Sequence, residues 1–512
     1  LDNQYGDVFI ETHRLPLEGT SVDADDSAGF GKIRTRLPGH VATALNRYPA
    51  LELMCVDVDN TSNVASANSR IKLPKLCLYT KRDVFLLDLA YDTYDNATNQ
   101  VEGTCVSVIE PFERVLLGTS LSTEIIRIRP APQRYMGYLM MCPPSSMVML
   151  MHCSETFQTS VTLYHGREGE VTRPLSFGSE ELDDPSERFT DFCFLNCPKS
   201  WQVLSNLSVA IVKGSGDVFV AGPILFLGTV IPKNSLSETL EYLDLLLTNK
   251  SSDSAQWRQI KVAKQYLIDC FPMSNAMNNA LLTAQARSQA FEWPIQLQGP
   301  ALEIAESDDF KTLATSIQLF PSPGELLGLA IGHVGGIVEF GLLSPVTSLL
   351  PRFQWELPDD SQQLDGCLQV GAIVTRVDLR DEKTDLHGTN STNNFLTLIP
   401  DPIMDSVLHC VTSSQIQSIS TNTLKITANK LRQQVFPSPG NMFSPSRRKD
   451  LTPKTTAWSC LDISSLEQKN ISVVGAVVSG DVRLGHVLVT RLSNGNLFWL
   501  CTSVYLNTFL FL

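Results

Sequence analysis

One local pattern recurs through this chain and constrains its fold more than anything else: an apolar run, a short polar turn, an apolar run. It occurs at 76–80 and 84–89 around Lys81-Arg82-Asp83, at 147–151 and 161–164, and at 209–212 and 218–221 around Lys213-Gly214-Ser215-Gly216-Asp217. It returns at 327–331 and 336–343 around a Gly332–Gly335 turn, more weakly within 367–379, at 407–411 and 415–419, and at 487–490 and 497–500. Gly and Asn supply the positive φ that tight hairpin turns need, and β-branched and aromatic residues fill the runs. A long chain of hairpins leaves open sheet edges unless its sheets close or stack radially. Seven hairpins, one per blade, predict an all-β, seven-bladed β-propeller with uneven insertions between repeats. None of the six Trp residues is followed by Asp, so it is not of the WD type. Two packed β-sandwiches are the structural rival.

One segment breaks the pattern. Leu236, Leu240, Leu243 and Leu247 share a helical face, as do Trp257, Ile260 and Leu267. Residues 280–290 are rich in Ala, Leu and Gln and are expected to be helical. Ser251, Ser252 and Asp253 offer an N-cap, and Pro272 and Pro294 end segments. The division expected is therefore an N-terminal extension or first strand at 1–40, a propeller over 41–512, and a helical insertion at 235–292. The insertion's apolar face either covers the sheet core or forms a groove for a partner helix, and both uses can hold together.

Composition narrows the function classes. With 43% hydrophobic and 18% charged residues in 512, the chain has a folding composition. A net charge of −14 provides no basic footprint for phosphates, so direct nucleic-acid binding is not expected. The 12 Cys are scattered without a zinc pattern, and several sit in apolar runs (Cys77, Cys153, Cys410, Cys501). This suggests a reducing compartment, no metal and no cofactor. Sequons at Asn60, Asn96, Asn206, Asn249, Asn390 and Asn470 match what an Asn-, Ser- and Thr-rich chain produces by chance. No signal peptide is visible, although the sequence opens on Leu1. The apolar tail 497–512 is shorter than a membrane helix and reads as a strand pair.

No catalytic signature is present: no Gly-x-Ser-x-Gly elbow, no phosphate loop, no His-Glu-x-x-His. Gly29-Phe30-Gly31-Lys32 lacks the upstream Gly, and Gly214-Ser215-Gly216 sits in a hairpin rather than before a helix. His152-Cys153 and His409-Cys410 are neighbours on strands and point to opposite faces, so they read as buried structural residues. Asp25-Asp26 and Asp359-Asp360 lie in polar loops. The acidic stretch 178–187 and the loop 436–454 read as solvated loops. The second also carries Ser438-Pro439, Ser444-Pro445 and Thr452-Pro453 around Arg447-Arg448-Lys449, the chemistry of proline-directed phosphorylation.

Five stretches resemble one family. They are 207–225 (LSVAIVKGSGDVFVAGPIL), 297–304 (LQGPALEI), 329–343 (LAIGHVGGIVEFGLL), Leu408-His409-Cys410-Val411 with 415–419, and 474–500. Their order is similar to that in the propeller domain of the cytoplasmic-face nucleoporins called Nup eighty-eight in animals and Nup eighty-two in fungi. That family continues into a C-terminal coiled coil. This sequence shows no heptads up to Leu512, so coiled-coil functions are not carried over. The resemblance implies a non-enzymatic scaffold at the cytoplasmic face of the nuclear pore complex, supporting mRNA export. Implied partners are a tail domain of the Nup ninety-eight type and the C-terminal helix of the cytoplasmic FG nucleoporin, without membrane insertion. Phe30-Gly31, Phe177-Gly178 and Phe340-Gly341 are isolated, so the chain carries no FG array of its own. Leu240, Leu243, Trp257 and Leu267 are expected to line or support the partner-binding surface. Another propeller adaptor, of vesicle-coat or ubiquitin-ligase type, is the alternative; a propeller enzyme or secreted lectin is a more distant one.

Overall fold

The computed structural model describes residues 2–4, 7–13, 32–37, 39–47, 52–57, 75–91, 101–109, 123–130, 134–135, 138–139, 146–153, 159–165, 175–177, 184–195, 208–221, 230–248, 255–272, 280–284, 298–302, 312–321, 327–343, 371–379, 396–401, 404, 406–422, 457–462, 472–479, 487–493 and 497–501. The chain divides into two compact units, Leu1–Gln133 with Met141–Glu180, and Arg134–Met140 with Glu181–Leu512.

Among the described residues the first unit holds two sheets. Strands β1 (Asp2–Gln4), β2 (Asp7–His13), β3 (Lys32–Arg36), β4 (Glu52–Asp57), β5 (Lys75–Tyr79), β6 (Val84–Tyr91) and β7 (Val101–Ile109) form one, in the order β1-β2-β3-β7-β6-β5-β4. Its β4–β7 part is an antiparallel meander. The N-terminal residues extend it, β3 running parallel to β7 with Ile33 opposite Val101. Helix α1 is Gly39–Arg47. The second sheet contains β8 (Thr123–Pro130), β11 (Ser146–Cys153), β12 (Thr159–His165) and β13 (Leu175–Phe177), all antiparallel.

The second unit begins with the short pair β9 (Arg134–Tyr135) and β10 (Tyr138–Leu139). Four larger antiparallel sheets follow. Sheet I joins β14 (Phe189–Phe194), β15 (Val209–Lys213), β16 (Val218–Ala221) and β19 (Gln298–Leu302). Between β16 and β19 lie β17 (Val230–Pro232), helices α2 (Lys233–Thr248) and α3 (Ala255–Cys270), and β18 (Leu281–Thr283). Sheet II joins β20 (Ala314–Pro321), β21 (Leu327–His333), β22 (Ile337–Leu343) and β23 (Gly371–Asp378). Sheet III joins β24 (Thr397–Pro400), β25 (Val407–Val411), β26 (Gln415–Ser420) and β27 (Ala457–Asp462). Sheet IV joins β28 (Val473–Ser479), β29 (Val487–Leu492) and β30 (Leu497–Cys501).

Six of the seven expected hairpins are the paired strands β5–β6, β11–β12, β15–β16, β21–β22, β25–β26 and β29–β30, each in a different sheet. The fifth is corrected. Residues 371–378 form the single strand β23, which closes the edge of the fourth hairpin's sheet. No turn residue interrupts Ala372 to Asp378, so the run stays extended and pairs with β22. Residues 281–283 also differ from expectation. They form β18, because tertiary pairing with β17 overrides helix propensity.

Sheets I to IV pack face to face in chain order. Sheet I meets sheet II through Ala210, Val212, Val220 and Cys193 against Ile317, Leu329 and Ile331. Sheet II meets III through Phe320, Ala330, Val338 and Phe340 against Leu398, Leu408, Cys410 and Ile419. Sheet III meets IV through Val411 and Ile416 against Val473, Leu488 and Leu492. The two-residue side-chain period lets one strand serve two neighbours: β21 sends Leu327, Leu329 and Ile331 to sheet I but Ala330 to sheet III. This explains why β21, β22 and β25 are buried at every position and read as unbroken apolar runs rather than alternating ones. Gly328 belongs to this packing, since a Cβ there would run into the Phe320 ring.

A repeated backbone hydrogen bond joins three of the hairpin turns to the next sheet. Ile125 N–H donates to the Lys81 carbonyl, Ala314 N–H to Gly214, and Val473 N–H to Ser413, each at 2.8 Å. The turns are themselves stiffened by side chains. Thr80 Oγ1 accepts from Asp83 N–H at 2.9 Å, and Thr412 Oγ1 accepts from Gln415 N–H at 3.1 Å. Gly214 cannot carry a Cβ, because the Pro185 carbonyl occupies that place.

Candidate partner-binding surface

The helix pair stands on the β17–β18 ribbon. Ile231 pairs with Leu282, and Lys233 N–H donates to the Ala280 carbonyl at 2.9 Å, which closes the base on which α2 begins. Helix α2 buries Leu236, Thr239, Leu240 and Leu243, spaced i, i+3, i+4, i+7. Helix α3 buries Ala263, Tyr266, Leu267 and Cys270 at the same spacing, followed by Phe271. Across their seam Lys264 Nζ meets Asp244 Oδ1 at 2.5 Å, a partly exposed pair contributing about 0–1 kcal/mol. Burial pushes the Cys270 thiol up to about 12 and the Tyr266 phenol well above its usual value, so neither ionises in ordinary buffers.

The four residues singled out from sequence divide in two. Leu243 and Leu267 are wholly buried and Leu240 nearly so; they belong to the core of the helix pair. Trp257 is half-buried, with Lys261 Nζ 4.9 Å from its ring centroid in a cation–π contact one turn along α3. Sequence reading missed Leu245, which is 58% exposed on α2, and Leu281, 47% exposed on β18. The Leu245-Leu246-Leu247 run held the signal, because three consecutive positions cannot share one helix face.

His409 Nδ1 lies 2.7 Å from Ser418 Oγ and its Nε2 lies 3.0 Å from Asp401 Oδ2. A carboxylate only accepts, so Nε2–H donates to Asp401, while Nδ1 and the Ser418 hydroxyl share the second hydrogen bond. These residue types are those of a nucleophile, a base and an orienting group. All three are buried, Ser418 completely, so the Ser418 hydroxyl has no approach for a substrate. The set instead ties β25, β26 and the turn after β24 together, and Asp401 Oδ1 also accepts from Met404 N–H at 2.8 Å. His409 and Cys410 do project to opposite sides: Cys410 packs between sheets II and III. His333 forms a second buried set, with Nδ1 3.1 Å from the Thr312 carbonyl and Nε2 3.1 Å from Glu339 Oε2.

Among the described residues no group of three His, Cys, Asp or Glu could hold a metal, and no helix is long and apolar enough to cross a membrane. The acidic stretch 178–187 is ordered at its end. Asp184 caps the 3-10 turn Pro185–Glu187, and Glu187 binds Lys213 at 2.6 Å beside the rings of Phe189 and Phe219. The sites at 25–26, 359–360 and 436–454, and residues 502–512, lie outside the described residues, as do the side chains of His152 and Cys153.

No known protein family and no curated protein matches this sequence. Solved structures do match it. A chain of the Chaetomium thermophilum heterotrimeric complex of the Nup82 N-terminal domain, the Nup159 tail and the Nup145N APD aligns with TM-score 0.55 and 11% identity, covering 84% of each chain. A chain of the yeast Nup82–Nup159–Nup116 nucleoporin complex aligns with TM-score 0.52 and 14% identity, covering 91% of this chain and 90% of that one. At this identity the likeness is one of fold, and the described residues are mostly strands in small antiparallel sheets.

Proposed function

We propose that the chain is a Nup82-like β-propeller scaffold of the nuclear pore complex, acting at its cytoplasmic face without enzymatic activity. The observation that carries this reading is the fold shared over 84–91% of the chain with proteins solved as Nup82 complexes. It agrees with the resemblance of 207–225, 329–343 and 408–411 with 415–419, whose described residues include the hairpins of three successive sheets. On this reading the larger sheets are blades, and the helix pair α2–α3 is an insertion between two strands of one blade; the described residues carry the repeated hairpin in six sheets, one fewer than the seven blades expected from the sequence. The partners are a tail domain of the Nup98 type and the C-terminal helix of the cytoplasmic FG nucleoporin, held for mRNA export. Leu240, Leu243 and Leu267 support the partner surface from within, and Trp257 contributes to it directly. The burial of Ser418, His409 and Asp401 favours a structural use of this catalytic-looking set.

The test is affinity purification of the tagged protein from its own cells, with mass spectrometry of what accompanies it. Recovery of an FG nucleoporin together with a Nup98-type tail is the expected result. Recovery of coat or ubiquitin-ligase subunits instead would overturn the pore assignment.

A further inference from the structure

His333 ends β21 on the row that faces sheet I, two residues beyond Ile331. It is buried, as is the Glu339 it meets on β22. Both of its ring nitrogens point at groups that accept. Nδ1 lies 3.1 Å from the Thr312 carbonyl, and Nε2 lies 3.1 Å from Glu339 Oε2. A carbonyl has no proton to give, and an ionised carboxylate has none either. A neutral imidazole carries a single N–H and satisfies only one of the two. Satisfying both takes one more proton, on the ring or on the carboxyl. His409 differs here, because its second nitrogen meets a hydroxyl that both donates and accepts.

The surroundings favour the ring. Across the ladder Glu339 stands in register with Arg376 on β23, and an opposite charge at that position favours the carboxylate. Asp378, also on β23, is in register with Ile337. From sheet I, the turn bonded to Ala314 brings Lys213, which is closed on Glu187, and Asp217, which accepts from the Ser215 hydroxyl. Residues 312–321 carry no titratable side chain. We propose that His333 is held as an imidazolium between Thr312 and Glu339, and that this proton-dependent pair fastens the β21–β22 turn to the start of β20. The same stretch takes the Val334 N–H on its Leu313 carbonyl and gives the Ala314 N–H to Gly214, so the clamp sits at the joint of sheets I and II. Release of the proton to solvent sets the Nε2 lone pair against the carboxylate, and the pair opens. The inference is independent of the pore reading, since it concerns a joint within the fold.

The consequence is read in the unfolding equilibrium. A histidine of the unfolded chain gives up its second proton near pH 6.5, roughly. Below that pH both states carry the proton and the contribution of the pair is constant. Above it the unfolded chain has lost the proton while the folded chain keeps it, so stability falls as pH rises. One extra bound proton raises the unfolding constant about tenfold per pH unit. Glu339→Gln removes the need for that proton, because an amide of the same shape donates to Nε2 of a neutral ring. Urea titrations of the full chain at about pH 7 and pH 8 should therefore show the unfolding constant rising about tenfold more in the wild type than in Glu339→Gln. A second measurement needs no variant to fold. Nitrogen-15 NMR of the histidine-labelled wild type at about pH 7.5, a unit above the ordinary histidine value, should show a ring that keeps N–H protons on both nitrogens. That ring should lose its Nε2–H in Glu339→Gln. Equal pH slopes in the two chains, or no doubly protonated ring in the wild type, overturns the proposal.

Discussion

His409 satisfies both ring nitrogens inside the protein, so each partner it loses leaves a polar group buried and unmet. Ser418→Ala should therefore cost about 1–3 kcal/mol, read as a lower denaturant midpoint at unchanged slope. An unchanged midpoint would show that the hydroxyl is dispensable and that His409 is held by Asp401 alone. Cys270 offers a test in the opposite chemical direction. Burial raises its thiol from 9.0 to about 12, with a smaller opposing contribution from the Tyr266 hydrogen bond. Between about pH 9 and 12 the unfolded chain has lost this proton while the folded chain keeps it, so stability falls as pH rises through that window. Tyr266, raised by the same burial, acts in the same sense. Cys270→Ala should flatten the alkaline loss of stability between pH 8 and 10, measured by urea titration at each pH. Neutral reagents should also leave Cys270 unmodified in the folded chain, since the reactive thiolate is absent.

At the scale of elements, the helix pair separates core from surface in a way mutations can read. Leu243 is wholly buried, so Leu243→Asp places a carboxylate in an apolar seam and should open α2 and α3 together. Hydrogen exchange over 233–270 would rise while sheets I to IV keep their protection. Trp257→Asp touches a half-buried side chain and its Lys261 contact, so the helices should persist while partner recovery falls. Persistent protection at 233–270 in Leu243→Asp would count against a seam built on Leu243. Much of this level was legible in the sequence, because local pattern decides it: the 3.6-residue stripe of Leu236 to Leu243 and the Gly turns at 214–216 and 332–336 are short-range signals. What failed had long-range causes. Leu281–Thr283 is a strand because Val230–Pro232 lies beside it, about fifty residues upstream in the chain. Asp191 lends an oxygen to Ile317 N–H at 3.1 Å across 126 residues of sequence, and Asp401 and Ser418 converge on His409 from the turn after β24 and from β26. No local periodicity encodes such partners.

At the scale of the molecule, sheets I to IV form a series in which each sheet packs on its sequence neighbours through one apolar cluster and, where a turn bond exists, one backbone hydrogen bond. Stability in such a series approximates a sum of sheet and interface contributions. Sheets II and III have apolar neighbours on both faces, whereas sheet IV meets sheet III through Val411, Ile416, Val473, Leu488 and Leu492. Truncation at that interface should therefore act locally. Leu488→Ala, at a wholly buried site, should cost about 2–5 kcal/mol. The loss should appear first as exchange of the amides in β28, β29 and β30, with β21 and β22 staying protected. Phe340→Ala, between sheets II and III, has a cost of similar size, about 3–5 kcal/mol, but a different reach. It loosens the joint between two sheets that each support another neighbour, so exchange should rise in sheets II and III together and the unfolding transition should broaden. Because Leu488 and Phe340 share no partner in their clusters, their effects on the global midpoint should add to within about 0.5 kcal/mol. Strong non-additivity would mean that sheet III transmits strain between its two faces, and that a partner docked on one sheet is felt by the next.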